Sequence, residues 1–451
     1  MEVDFFKEGL ADIPQDLVVR KILNAAINSV LPEKVISKHF RRVGNELMVF
    51  SREGVVRPIR SINLNSVRRI KLVGIGKAAG KMAVAASRQL AGLDYVGLLV
   101  LKHKFSGLPS EIEQVIGGHP VPNEGSLEAG KKMKAFLSDC HKDDLVIFLI
   151  SGGGSALITL PEENITLGDI RELTSALLGC GATIQEMNTV RKQIDQVKGG
   201  GLAKWCGPSQ VISLILSDVI GNPLDIIASG PTVFDGGTRA NAMSCLERYN
   251  LLSTIPVNII NFLIKPEPMG QPPTTFPDVL NTIIGDNDVA LYAAAEQANL
   301  EGFATILIPE KFTADVNIVA EDFWRKVEHE IRRLPSGESY CILQGGEPTV
   351  KINGAGKGGR NQHLALLLAS KISSNQILIT LATDGEDGPT DAAGAVISMF
   401  TKQRADKLLL NEDGFLQKND SYHYLEETHS LLKTGPTGTN VNDLLVLFGS
   451  S

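Results

Sequence analysis

Arg69-Ile70-Lys71-Leu72-Val73-Gly74-Ile75-Gly76-Lys77-Ala78-Ala79-Gly80-Lys81 is the stretch on which the reading of this chain turns. A short apolar run enters a glycine turn, and a helix is predicted over 82–90. Apolar strand, tight turn and helix in that order are the unit of a parallel sheet. The unit recurs. Strands are predicted at 95–101 and 114–116. The apolar run 144–150 reads as a buried strand ending in Ser151-Gly152-Gly153-Gly154-Ser155-Ala156, and 211–216 is a strand ending at Ser217-Asp218. Helices are predicted from Ser126, taken as an N-cap with Glu128 in the first turn, to 137, and over 166–178 and 183–197. Upstream, 17–35 has helical spacing and 45–57 resembles a short hairpin. The alternation, with glycine at strand ends, predicts an α/β doubly wound domain.

A segment over 265–278 holds five prolines and is the expected linker, which sets the domains at 1–264 and 279–451. Beyond it a strand at 279–284, a helix over 288–300 and a strand at 305–308 predict a βαβ unit, followed by a long helix over 314–334. A strand at 340–343 then leads through Gly345-Gly346-Glu347-Pro348-Thr349 into Gly354-Ala355-Gly356-Lys357-Gly358-Gly359-Arg360-Asn361-Gln362 and a helix over 363–372. Two more strands, 377–380 and 444–448, complete this half.

The 451 residues are 43% hydrophobic and 21% charged, as in an ordinary globular protein of two or three domains. A net charge of −7 makes no electrostatic case for nucleic acid or an anionic membrane. No charge-free window reaches transmembrane length, and the acidic N-terminus is neither a signal nor a transit peptide. Five scattered cysteines without C-x-x-C spacing argue against a disulfide framework or a zinc site and for a reducing compartment, so a cytoplasmic location is expected.

The glycine-rich turns carry the chemistry. Gly74-Ile75-Gly76-Lys77-Ala78-Ala79 satisfies the loose dinucleotide pattern, but the next strand ends Leu101-Lys102-His103-Lys104, where a ribose-binding acid would stand. The Walker pattern fails at Ile75 and Met82. What remains is a glycine turn at Gly76 with Lys77 set to meet an anion at a helix start. Ser151, Gly152, Gly153, Gly154 and Ser155 form a second anion nest with flanking hydroxyls. It is no nucleophile elbow. His119, before Pro120, reads as a substrate-orienting group or a turn residue. In the C-terminal half, Lys357 and Arg360 add full charge at a turn whose following helix offers unpaired N–H groups. A hairpin tip with solvated basic residues would read the same way.

Two carboxylates stand at strand ends. Asp218 is placed to accept a hydroxyl proton or hold its metal, and Asp384, in Thr383-Asp384-Gly385-Glu386-Asp387-Gly388, to hold a nucleotide metal. Helix capping and turn chemistry are the plainer uses of both. Glycine nests, cations and acidic strand ends together describe phosphoryl transfer.

The residues also resemble the glycerate kinases of the MOFRL type. Gly74–Ala79, Gly118-His119-Pro120-Val121-Pro122 and Ser151–Ala156 carry the likeness, with Asn188-Thr189-Val190-Arg191-Lys192, Lys198-Gly199-Gly200-Gly201-Leu202-Ala203 and Ser229-Gly230-Pro231-Thr232. Gly345–Thr349, Gly358–Gln362, Thr383-Asp384-Gly385 and Pro436-Thr437-Gly438-Thr439-Asn440-Val441-Asn442-Asp443 extend it over about 20–448. The resemblance implies ATP-dependent phosphorylation of D-glycerate, giving 2-phosphoglycerate, with Mg²⁺. It implies a Rossmann-like N-terminal domain and a smaller α/β MOFRL domain, with the active site in the interdomain cleft. The family's functional lysine and arginine fall on Lys77 and Arg360. With Asp218 these are the expected catalytic residues. Gly76, Ser151–Ser155, Arg191, Lys357 and Asn361 are the expected substrate- and phosphate-binding set, and Asp384 the metal ligand. The chain departs from the pattern at Asn222, where Asp is common, at His363, where Glu is common, and at Gln193-Ile194-Asp195. Partners are small molecules, with a homodimer as the assembly weighed. Hydroxypyruvate reduction with NADH or NADPH is the alternative activity, and a non-catalytic sugar-phosphate-binding regulator a third reading.

Overall fold

The structure, a computed structural model, describes residues 4–13, 15–54, 56–266 and 278–451. They form two compact units, 32–284 and a second made of 1–31 with 285–451. Both ends of the expected division change. The helix Asp16–Ser29 packs against Asn287–Leu300 and so belongs with the C-terminal half. Strand 279–285 pairs into the sheet of the first unit, so the expected βαβ over 279–308 is divided between two sheets. The expected proline-rich linker lies outside the described residues over 267–277.

In the 32–284 unit, β1 (Phe40–Val43), β2 (Glu46–Val49) and β3 (Arg60–Asn63) make a small antiparallel sheet around the expected hairpin. The main sheet contains β4 (Arg69–Ile75), β5 (Tyr95–Leu101), β6 (Ile112–Ile116), β7 (Asp144–Ser151), β8 (Gln210–Leu216) and β9 (Val279–Gly285). Its order is β6-β5-β4-β7-β8-β9, and the pairings from β6 through β8 are parallel. This is the doubly wound order, in which the winding reverses between β4 and β7. All eight residues of β7 are buried, as a central parallel strand covered on both faces requires. Val73, Ile75, Val146, Phe148 and Ile150 pack with Leu98, Met133, Leu137 and Leu202 in the core.

Local chemistry moves two helix starts. The helix Ala79–Gln89 begins three residues earlier than predicted. Helix Glu124–Leu137 is capped by Asn123, not Ser126: Ser126 sits at the third helical position and closes a capping box, its N–H donating to Asn123 Oδ1 and its Oγ accepting from the Asn123 N–H.

The second unit contains β10 (Ala304–Leu307), β11 (Ser339–Gly346), β12 (Ile377–Ala382), β13 (Gly394–Ile397), β14 (Leu431–Leu432) and β15 (Asp443–Ser450). The order β10-β11-β15-β12-β13-β14 mixes one parallel pair, β10–β11, with antiparallel neighbours. Helices Val316–Ile331 and Arg360–Ala369 pack on it through Val319, Phe323, Leu364 and Leu368. The register sets Gly346 and Ala382 on either side of Asp443, so Glu347, Asp443 and Asp384 issue from one row of strand ends.

Candidate active site

In the first unit the predicted glycine turns meet where the winding reverses. Gly76 has φ +125°, and a β-carbon there would stand 2.3 Å from Ser151 Oγ. The Ala78 N–H donates to Ser151 Oγ (3.0 Å), and the Lys77 N–H to the Gly152 carbonyl (3.0 Å). These amides bind one loop to the other, which leaves the exposed Lys77 side chain as the cation at the turn.

Three side chains converge on the triglycine. A β-carbon at Gly152 would lie 1.9 Å from Asp218 Oδ2, and one at Gly153 would lie 3.0 Å from His119 Cδ2 and 3.4 Å from Lys77 Cγ. Lys77, His119 and Asp218 thus flank two adjacent glycines. Burial and the charges of Lys77 and Lys102 hold His119 down at about 4, so its imidazole is neutral near pH 7.

Behind the nest is a layer that the sequence showed only as resembling motifs. Ser229 Oγ donates to Asn188 Oδ1 (2.9 Å), so in its 2.7 Å contact with Ser155 Oγ the proton comes from Ser155. Ala228 and Ser229 have φ +50° and +62°, left-handed backbone that is costly for residues with side chains. The N–H groups of Gly199 and Gly200 donate to the carbonyls of Ser229 (3.0 Å) and Gly230 (2.7 Å) and hold that turn in place. Arg191 reaches the same layer: its Nη2 lies 3.4 Å from the Ser155 carbonyl.

The second unit treats its predicted cations differently. Arg360 Nε and Nη2 donate to Asp443 (2.6 and 3.0 Å), Nη1 donates to Glu347 Oε1 (2.9 Å), and Asn442 Nδ2 holds the other Glu347 oxygen (2.8 Å). Burial pushes the Asp443 carboxyl up to about 7, against the pull of Arg360. Lys357 Nζ sits over the Tyr422 ring, 3.7 Å from its centre.

The N-terminus of helix Arg360–Ala369 is not open to an anion in the way expected. The buried Asp387 carboxylate accepts the N–H groups of Asn361 (3.0 Å) and Gln362 (2.8 Å). Asn361 is buried, with its Nδ2 3.4 Å from Asp387 Oδ1. Asp384 ends β12 in a turn, its Oδ1 accepting the Glu386 N–H (3.1 Å). Among the described residues no three His, Cys, Asp or Glu side chains cluster as a metal cage. The strand-end carboxylates fit instead a Mg²⁺ carried on substrate phosphates, which takes one or two protein ligands. No described helix is long and apolar enough to cross a membrane.

Residues 18–264 match the model of a domain of unknown function, DUF4147, and residues 340–443 that of the MOFRL family. A D-glycerate 2-kinase of Thermotoga maritima is 37% identical over 406 residues, covering 88% of this chain and 94% of that protein. A glycerate 2-kinase of Pyrococcus horikoshii is 38% identical over 393 residues, 85% of this chain and 88% of its own. The crystal structure of a glycerate kinase from Thermotoga maritima matches with a TM-score of 0.83 and 34% identity, over 97% of this chain and all (100%) of that one. With DUF4147 and MOFRL domains in this order, and likeness of that extent along nearly its whole length, the chain belongs to the glycerate kinase family.

Proposed function

We propose that this protein is a glycerate kinase, transferring the terminal phosphoryl group of ATP to the 2-hydroxyl of D-glycerate. The observation that carries the proposal is the convergence of Lys77, His119 and Asp218 on Gly152–Gly153 at the point where the sheet reverses its winding. Ligands of doubly wound sheets bind there, outside the carboxyl ends of the strands.

Each residue has work suited to its surroundings. Asp218 lies against the glycine turn and accepts the proton of the attacking hydroxyl. Neutral His119 orients that hydroxyl without adding charge. Lys77 meets the negative charge of the transferring group, and the Ser151–Ser155 turn cradles it. In the MOFRL domain Arg360, held by Asp443 and Glu347, is a cation suited to phosphoryl charge. Asp384 would hold Mg²⁺, which would supply neutralisation of the ATP phosphates.

The reductase reading lacks a ribose-binding acid. β5, the neighbour of β4, ends at Leu101 and is followed by Lys102-His103-Lys104. The test is ADP release by the purified protein with ATP, Mg²⁺ and D-glycerate, with ³¹P NMR to locate the new ester. Oxidation of NADH or NADPH by hydroxypyruvate at a comparable rate would overturn the proposal.

A further inference from the structure

Arg191 and Lys192 are adjacent in the last turn of helix Ile184–Ile194, yet their charges are treated oppositely. Lys192 is almost wholly buried and fully answered, with Nζ 3.1 Å from Asp225 Oδ2 and 3.0 Å from Asp235 Oδ1. Arg191 has no ion-pair partner among the described residues. Its Nε is sealed from water and makes no hydrogen bond, while its Nη2 makes one long contact, to the Ser155 carbonyl. The acid one turn on, Asp195, is already saturated. It accepts from Lys198 Nζ (2.7 Å), the Thr159 hydroxyl and the N–H groups of Leu160 (3.1 Å) and Val197 (3.0 Å). Burial pushes the Arg191 guanidinium down, and Asp195 offsets this only in part.

A guanidinium withdrawn from water without a counter-ion is costly, and a carboxylate or phosphate brought by a ligand would offset that cost. The residue as a whole is only half-buried, so the group retains a path to solvent. It sits at Ser155, in the same turn whose Gly152 faces Asp218, the group read above as the base for the acceptor hydroxyl. A carboxylate one carbon from that hydroxyl has the planar, two-oxygen shape that matches the guanidinium fork.

We propose that Arg191 is the carboxylate anchor of the acceptor site and makes the enzyme select 2-hydroxy acids over neutral polyols. The proposal rests on the reading that Asp218, against Gly152 of the same turn, takes the proton of the acceptor hydroxyl. The hydroxyls of Ser155 and Ser229, hydrogen-bonded to each other and to Asn188, support the turn beside the anchor.

The test compares the parent with Arg191→Met and Arg191→Lys. Binding of D-glycerate, glycolate, glycerol and inorganic phosphate is measured by calorimetry, thermal stability is read without ligand, and KM is determined separately for glycerate and ATP. Arg191→Met should unfold no earlier than the parent, because an unanswered charge has been removed. It should lose glycolate binding and raise KM for glycerate by about 100-fold, with KM for ATP unchanged. Arg191→Lys, with charge but no fork, should fall between. A Met variant that binds glycolate as the parent does, whether or not it is destabilised, would overturn the anchor. So would Arg191-dependent binding of phosphate without glycolate, which would make the subsite a phosphoryl site. If Arg191→Met misfolds, undiminished glycolate binding by Arg191→Lys overturns the anchor, and weakened binding supports it. Failure of the kinase reading looks different: the parent would release no ADP with D-glycerate, while Arg191-dependent binding of glycolate persisted.

Discussion

A β-carbon on Gly152 would stand 1.9 Å from Oδ2 of Asp218, so the missing side chain is what allows that carboxylate to lie on the turn. Gly152→Ala should therefore push Asp218 aside. Displacing a reacting group by about 1 Å lowers rates on the order of 100-fold. The expected outcome is a fall in kcat of that size with little change in unfolding temperature, since Asp218 is not deeply buried. An alanine variant with parental kcat would remove Asp218 from the chemistry.

The two strand-end acids should separate by their response to Mg²⁺. Asp384→Asn is expected to raise the Mg²⁺ concentration for half-maximal rate. Asp218→Asn is expected to depress the rate even at saturating Mg²⁺. Titrations of both variants check the division, and parental behaviour in both would leave neither acid catalytic.

Lys77→Ala and Arg360→Ala should each lower kcat by about 100- to 1,000-fold, as loss of a charge aimed at the transition state does. A variant that only raised KM would show simple substrate binding. The two differ in stability. Lys77 is exposed, and its loss leaves the fold alone. Arg360→Ala strands the fully buried Asp443 and should cost about 3–5 kcal/mol in urea unfolding.

Asp387 is expected to act through the helix that carries Arg360. Asp387→Ala frees the N–H groups of Asn361 and Gln362 in a buried place and should cost about 2 kcal/mol. It should lower kcat as well, because Arg360 is the first residue of that helix. Equal stability of variant and parent would show that the cap contributes nothing.

The pH dependence of stability should carry the mark of His119. Its ordinary value is 6.5 and the folded value about 4, so the unfolded chain takes up the proton first as pH falls. The folded state is therefore favoured by this group above pH 6.5, and the advantage is lost progressively between 6.5 and about 4. His39, buried and held at about 4 chiefly by burial, titrates in the same window, so the reference is a variant and not a flat line. His119→Gln should show a shallower loss of unfolding free energy over that range, and parallel curves for variant and parent would contradict the assignment.

The 144–150 run, the glycine turn at Gly74–Gly76 and the strand end at Ser217-Asp218 were enough to read an α/β sheet with a ligand cradle at its strand ends. Those signals are local: apolar runs, turn residues and caps act within a few positions. Pairing and charge compensation are not local, and only the tertiary structure decided them. It sent strand 279–285 to the first sheet and the helix Asp16–Ser29 to the second unit, because burial of a strand edge or a helix stripe is satisfied by whichever surface folds beside it. It made Asp387 the cap of the helix that begins at Arg360 and stacked Lys357 on Tyr422. Arg191 and Lys192 are neighbouring cations in the chain, but among the described residues two carboxylates ion-pair with Lys192 and none with Arg191. A charge is set by the groups brought within a few ångströms of it, and these come from distant parts of the chain.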